Sequence, residues 1–261
     1  MASMVLEQPD RFRIGRIFGA SFAVIGRNPL LCLGLALLFS GLPSLVFDLR
    51  MQAPETDIAV GDPEDAIIGL GMVSRDSVIT SEFLLMSFVL DLLLQSSLVR
   101  ATIEDPNGKQ PSIGDCIKIA IGCFLPTLGI GLLVVLGAGL GLILLVIPGI
   151  ILWLCWLVAV PVLVQERLGV LGSMARSSKL TKGSRWALFG LFLILIATTV
   201  AIQLALERVV EPFGGLVGAF VGTLVWTTSS MVMSIATAVS YVELRQVREG
   251  TSVDELAEIF S

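Results

Sequence analysis

The sequence predicts an all-α integral membrane protein, a six-transmembrane-helix bundle with amphipathic interfacial helices, forming a single membrane domain over residues 1–261. Three observations carry that expectation. Apolar residues make up 55% of the chain and charged residues only 15%, with a mean hydropathy of +0.91. A soluble domain carries about 25% charged residues to solvate its surface, so a water-soluble globule is excluded, and disorder with it. The apolar residues gather in long runs, and a helix needs about 20 of them to cross the hydrocarbon. Between Lys118 and Glu166 there is no formal charge in 47 residues, which is too long for one span and suits two.

The spans follow in order. The first covers residues 30–47, opened by Arg27-Asn28-Pro29 and closed by Asp48-Leu49-Arg50, and an acidic outer loop is expected over 49–80. The second covers 83–99. The charge-free stretch divides into a third span, 127–147, and a fourth, 150–164, with Pro126 marking its start. Pro148-Gly149 is the expected reversal, because proline disrupts the preceding turn and glycine permits a tight one. A competing reversal lies at the glycines of 137–141. The fifth span covers 186–206 and the sixth 213–242.

Six spans put both termini on one side. If that side is cytoplasmic, 14 of the 17 basic residues fall inside and only Arg50, Arg75 and Arg208 outside. The bias matches the positive-inside rule and predicts a multi-pass protein of the bacterial inner membrane with cytoplasmic termini. The net charge of -5 argues against a nucleic-acid partner, which needs a basic surface.

Four segments read as lying along the membrane. In 11–27, Ile14, Ile17, Phe18, Phe22 and Ile25 recur at helical spacing, with Arg13, Arg16 and Arg27 mostly elsewhere. A second opens at Ser112, which has Asp115 three positions on in the manner of a capping box. The third is 169–181, and the fourth a short C-terminal helix over 252–260. These connectors satisfy backbone groups at the interface; as a sharper expectation, Arg13, Arg16, Arg176, Lys179, Lys182 and Arg185 contact anionic phospholipid headgroups. Membrane lipids are thus the expected partners, with a membrane protein as a further one.

Within the bilayer Asp91 stands out, near the middle of the second span, with Ser87 and Gln95 one turn either side. A carboxylate there costs about 2.5–3.5 kcal/mol on insertion scales, so it should face the bundle interior. Two roles compete: a polar clasp to Gln203, Thr198, Thr199 or the serines of the sixth span, which is favoured, and a proton or substrate site in a wet cleft. Gly214, Gly218 and Gly222 form overlapping GxxxG units, and Gly137 and Gly141 repeat the device on the third span. Small faces let helices approach closely in lipid, and these two surfaces are expected to pack on each other within one chain rather than form a dimer seam. The cysteines, Cys32, Cys116, Cys123 and Cys155, are expected to act as small buried hydrophobes. No catalytic constellation, metal site or cofactor is expected, and the absence of histidine removes every mechanism that needs imidazole.

Two segments carry a family resemblance. Ile147-Pro148-Gly149-Ile150-Ile151 leads to Pro161-Val162-Leu163-Val164-Gln165-Glu166, then Gly169-Val170-Leu171 and Arg176-Ser177-Ser178-Lys179-Leu180-Thr181; Tyr241-Val242-Glu243-Leu244-Arg245 follows near the end. This pattern resembles the YciC-like bacterial inner-membrane proteins. It is also similar to the membrane domain that some glycerophosphoryl diester phosphodiesterases carry beside their catalytic domain, with Glu243 where many members have Asp. The resemblance implies association with lipid metabolism, and no catalysis in this chain, which lacks the histidines such an enzyme site requires. The expected function is a non-enzymatic accessory or scaffold component of a membrane complex or lipid-related process. The runner-up is a lipid or small-molecule transporter with Asp91 in its pathway.

Overall fold

The computed structural model describes residue 12 and residues 14–52, 75–104, 113–210 and 215–249. Among these the chain is helical almost throughout. An amphipathic helix α1 (Ile14–Arg27) precedes the first span, which is one continuous rod made of α2 (Pro29–Ala36), a π-helical turn (Leu37–Gly41) and α3 (Leu42–Gln52). The second span is α4 (Arg75–Glu104), followed by α5 (Ile113–Gly122) and the third span α6 (Phe124–Leu144). The fourth consists of α7 (Val146–Trp156) and α8 (Ala159–Glu166). Then come α9 (Gly169–Thr181), α10 (Arg185–Val210) and α11 (Gly215–Glu249). Six of these rods are long and apolar enough to cross a membrane, so the chain is an all-α, multi-pass membrane bundle.

Proline position explains the breaks. Pro126, Pro148 and Pro161 are each the third residue of a helix, and each interruption lies three residues earlier, at Cys123, Leu145 and Val158. Proline removes the bond to the carbonyl four residues back and its ring crowds that carbonyl, yet it is harmless in a first turn, whose N–H groups lack partners anyway. The reversal between the third and fourth spans is therefore at neither expected place. It is the single extended residue Leu145 (φ -157, ψ 125), with Pro148 already inside α7. The second interfacial segment, expected to run on to the Pro126 break, ends as a helix at Gly122.

Other boundaries also move. Residues 49–52 and 75–80, expected in the acidic loop, are helical extensions of α3 and α4. Those extensions are held together: the Phe47 and Phe83 rings stack at 4.1 Å, and Arg50 pairs with Glu82 at 3.3 Å. Residues 53–74, Ser112 and the expected helix over 252–260 lie outside the described residues.

α11 is the spine. It packs on α4 and α10 along its length, on the first span, and on α1 near its own C-terminus. Ile17, Leu35, Leu94, Leu98, Leu191 and Ile235 form the buried core of that arrangement. Large apolar side chains elsewhere face outward, with Leu30 84% and Ile143 82% exposed. In water such a surface would drive aggregation; in a bilayer it is the lipid-facing belt. At 35 residues and about 1.5 Å per residue, α11 is about 50 Å long, longer than the roughly 30 Å hydrocarbon. Its last turns therefore project beyond the bilayer.

Those projecting turns meet α1, α8 and α9. Arg176 on α9 pairs with Glu166 at 3.0 Å and also with Glu249. Tyr241 donates to Glu166 at 3.0 Å, Arg245 reaches Glu249 at 3.0 Å, and Arg16 on α1 reaches Glu243 at 3.3 Å. Ser177 donates to the Cys155 carbonyl at 2.7 Å, fixing α9 along α7. Beneath this polar layer, Leu154, Val158, Val162, Leu180, Leu188 and Leu244 close a second core around Tyr241.

Candidate functional site: a cavity at Asp91

α4 and α10 both pack on α11 but hardly touch each other. The space between them is a cavity of about 450 Å³, floored by α11 and walled by the other two helices. Asp91 and Gln95, one turn apart on α4, face into it beside Phe88 and Leu92. From α10 come Thr199 and Gln203, with Ile196 and Val200 between them. The floor is a stripe on α11 of Trp226, Ser229, Ser230, Met233, Ser234 and Thr237. Each set repeats every three or four residues, the spacing that keeps side chains on one helix face.

Most of the cavity's surface is apolar, and the polar groups set into it are not used up against one another. Among the described residues Asp91 makes no hydrogen bond or ion pair, although Gln95, Gln203 and the α11 serines line the same space. The expected clasp therefore does not form. Its chosen partners are split: Thr199 and Gln203 face the cavity, while Thr198 is exposed on the lipid side of α10. Ser87, the third member of the expected stripe, does not line the cavity. Thr199 donates to the Leu195 carbonyl at 3.0 Å and Thr237 to the Met233 carbonyl at 2.8 Å. Their hydroxyl protons are thereby committed to their own helices, and only oxygen lone pairs remain to meet a ligand. Trp226 and Thr237 are not singled out by the sequence; the signal that could have found Trp226 is the four-residue stripe 226, 230, 234 on α11.

The candidate headgroup residues separate into two groups. Arg16 and Arg176 are engaged within the protein by Glu243, Glu166 and Glu249. Hydrogen bonding to Glu249 raises the Arg176 guanidinium above its ordinary pKa, against partial desolvation and with help from Glu166. Lys179 and Lys182 are exposed on α9 and just beyond it, beside Trp186, which is 80% exposed. Indole at such a position is the usual interfacial anchor. Arg185 is half-buried, and Arg13 lies outside the described residues.

The glycines do not pair as expected. A Cβ on Gly137 would meet the Trp156 ring at 2.5 Å, and one on Gly141 would meet the Gly149 backbone at 2.9 Å. Both serve the close approach of α6 to α7, not to α11. On α11, Gly222 lies toward α3, where an added Cβ would be 3.9 Å from Asp48. Gly218 is half-buried and Gly214 lies outside the described residues. Cys32, Cys116 and Cys155 are buried, Cys123 half-buried, and none is in a disulfide. Among the described residues no three of Cys, Asp and Glu gather in a metal-binding group.

The fold and the site thus define a class, a multi-pass helical membrane protein with a cavity into which Asp91 faces. No family model, curated protein or solved structure matches the chain.

Proposed function

We propose that the protein binds, and passes along the bilayer or across it, a lipophilic small molecule or lipid held in the cavity at Asp91. One observation carries this reading: an intramembrane carboxyl group without a partner, facing about 450 Å³ of space. A buried ionisable side chain is expensive to place in a membrane and ordinarily marks a substrate or ion pathway. The volume lies within the range of about 300–1,000 Å³ typical of small-molecule sites. The gap between α4 and α10 gives a lateral entrance rimmed by apolar residues such as Val200, which suits a ligand arriving from the lipid. An accessory or scaffold role with no pathway would be better served by a packed interior around Asp91. No catalytic step is part of this reading.

We place the protein in the bacterial inner membrane with its termini cytoplasmic, on the distribution of its basic residues. The ion-pair layer of α1, α9 and α11 then lies on the cytoplasmic side, with Lys179 and Lys182 turned toward anionic headgroups.

Cavity filling tests the proposal. Protein purified in mild detergent is compared by native mass spectrometry with Ser230→Phe, which fills the floor. Wild type should release a bound small molecule or lipid that the variant lacks, at unchanged thermal stability. Identical adduct spectra would overturn the reading.

A further inference from the structure

Resting on that reading, we infer that the cavity selects an organic cation with an apolar body, a lipophilic amine, and that Asp91 is its counter-ion. The first support is charge. Among the fourteen lining residues Asp91 is the only acid, and none is a lysine or arginine. An anionic ligand would meet a carboxyl group and no compensating cation. A cation would convert a lone half-buried carboxylate into a pair, the arrangement in which intramembrane charges are tolerated.

Hydrogen-bond polarity is the second support. Thr199 and Thr237 have turned their protons onto the Leu195 and Met233 carbonyls. With Asp91 ionised, three groups on three helices then offer acceptors only. An ammonium carries three donors and no acceptor, so these three groups suit it, while the amides of Gln95 and Gln203 and the hydroxyls of Ser229, Ser230 and Ser234 can accept from it as well. The third support is Trp226 on the floor, since an indole face attracts a cation through its ring quadrupole. Leu92, Ile196 and Val200 supply the apolar wall for the rest of the molecule.

The test uses three probes with one alkyl chain, octylamine, octanol and octanoate, titrated into the full-length protein in lipid nanodiscs and read by tryptophan fluorescence. Wild type should bind octylamine at least tenfold more tightly than octanol, and octanoate more weakly than either. Asp91→Asn should bring octylamine to the level of octanol, whereas Asp91→Glu keeps the preference; unchanged thermal unfolding shows that each variant is folded. Equal binding of amine and alcohol to wild type would overturn the cation assignment while leaving the cavity reading standing. Binding of none of the three, or binding that Ser230→Phe does not weaken, would overturn both.

Discussion

Tyr241 donates a hydrogen bond of 3.0 Å to Oε1 of Glu166, joining the projecting end of α11 to the end of α8 across 75 positions of sequence. The same carboxylate receives Arg176 from α9, so one side chain ties three helices together. A hydrogen bond to a charged group contributes about 1.5–3 kcal/mol when it is sheltered. Tyr241→Phe and Glu166→Gln should each lower the thermal midpoint in detergent, and the double variant should lose less than the two losses added. A coupling near zero in that double-mutant cycle would mean that the contact does not stabilise the protein.

The α6–α7 hairpin supplies a controlled comparison among glycines. A Cβ on Gly149 would lie 2.5 Å from the Leu142 backbone nitrogen, and one on Gly137 would lie 2.5 Å from the Trp156 ring, while Gly139 has nothing within 4 Å. Gly149→Ala should destabilise most, because backbone cannot yield as a side chain can, and Gly137→Ala should follow. Overpacking of this kind costs about 1–3 kcal/mol. Gly139→Ala should be neutral or mildly stabilising, since alanine is the better helix former. Thermal unfolding of the three variants reads the order directly.

At the π-helical turn, Gly41 sits against Thr227 of the spine: an added Cβ would be 2.8 Å from the threonine hydroxyl. Gly41→Ala should therefore destabilise by about 1–3 kcal/mol. Thr227→Ala removes the opposing atom, and its hydroxyl has no hydrogen-bond partner to lose. The pair Gly41→Ala/Thr227→Ala should recover most of the loss. Failure to recover would show that the glycine is required by the π geometry and not by the neighbour.

The basic residues of α9 and its end should divide by function. Replacing Lys179 and Lys182 together by Gln should leave unfolding in zwitterionic nanodiscs unchanged. It should weaken the added stabilisation by phosphatidylglycerol, by about 1 kcal/mol for each lysine lost. Arg176→Gln should lower stability in either lipid, because it strips a partner from Glu166 and Glu249. Equal behaviour of the two variants would remove the distinction.

The six rods and the place of Asp91 within one of them were legible because both depend on composition along the chain: apolar length, and one acid inside an apolar run. What was not legible depends on three-dimensional placement. Pro148 announced a break, but the break is felt at the carbonyl upstream, so the turn lies at Leu145. Gly137 announced close approach without naming the partner, which is Trp156 on the adjacent helix. Asp91 and Gln203 share a chamber, yet a gap between α4 and α10 keeps them apart, and no periodicity encodes the separation of two helices. Arg176 looked like a headgroup ligand because its acidic partners come from 10 and 73 residues away.

The one-residue turn at Leu145 bears on how the protein enters its membrane. Ile143, Leu144, Leu145, Val146 and Ile147 are all largely exposed and apolar, so the tip holds no side chain that favours water. A tip of this kind favours entry of α6 and α7 as one hairpin, with Lys118 and Arg167 flanking its open end.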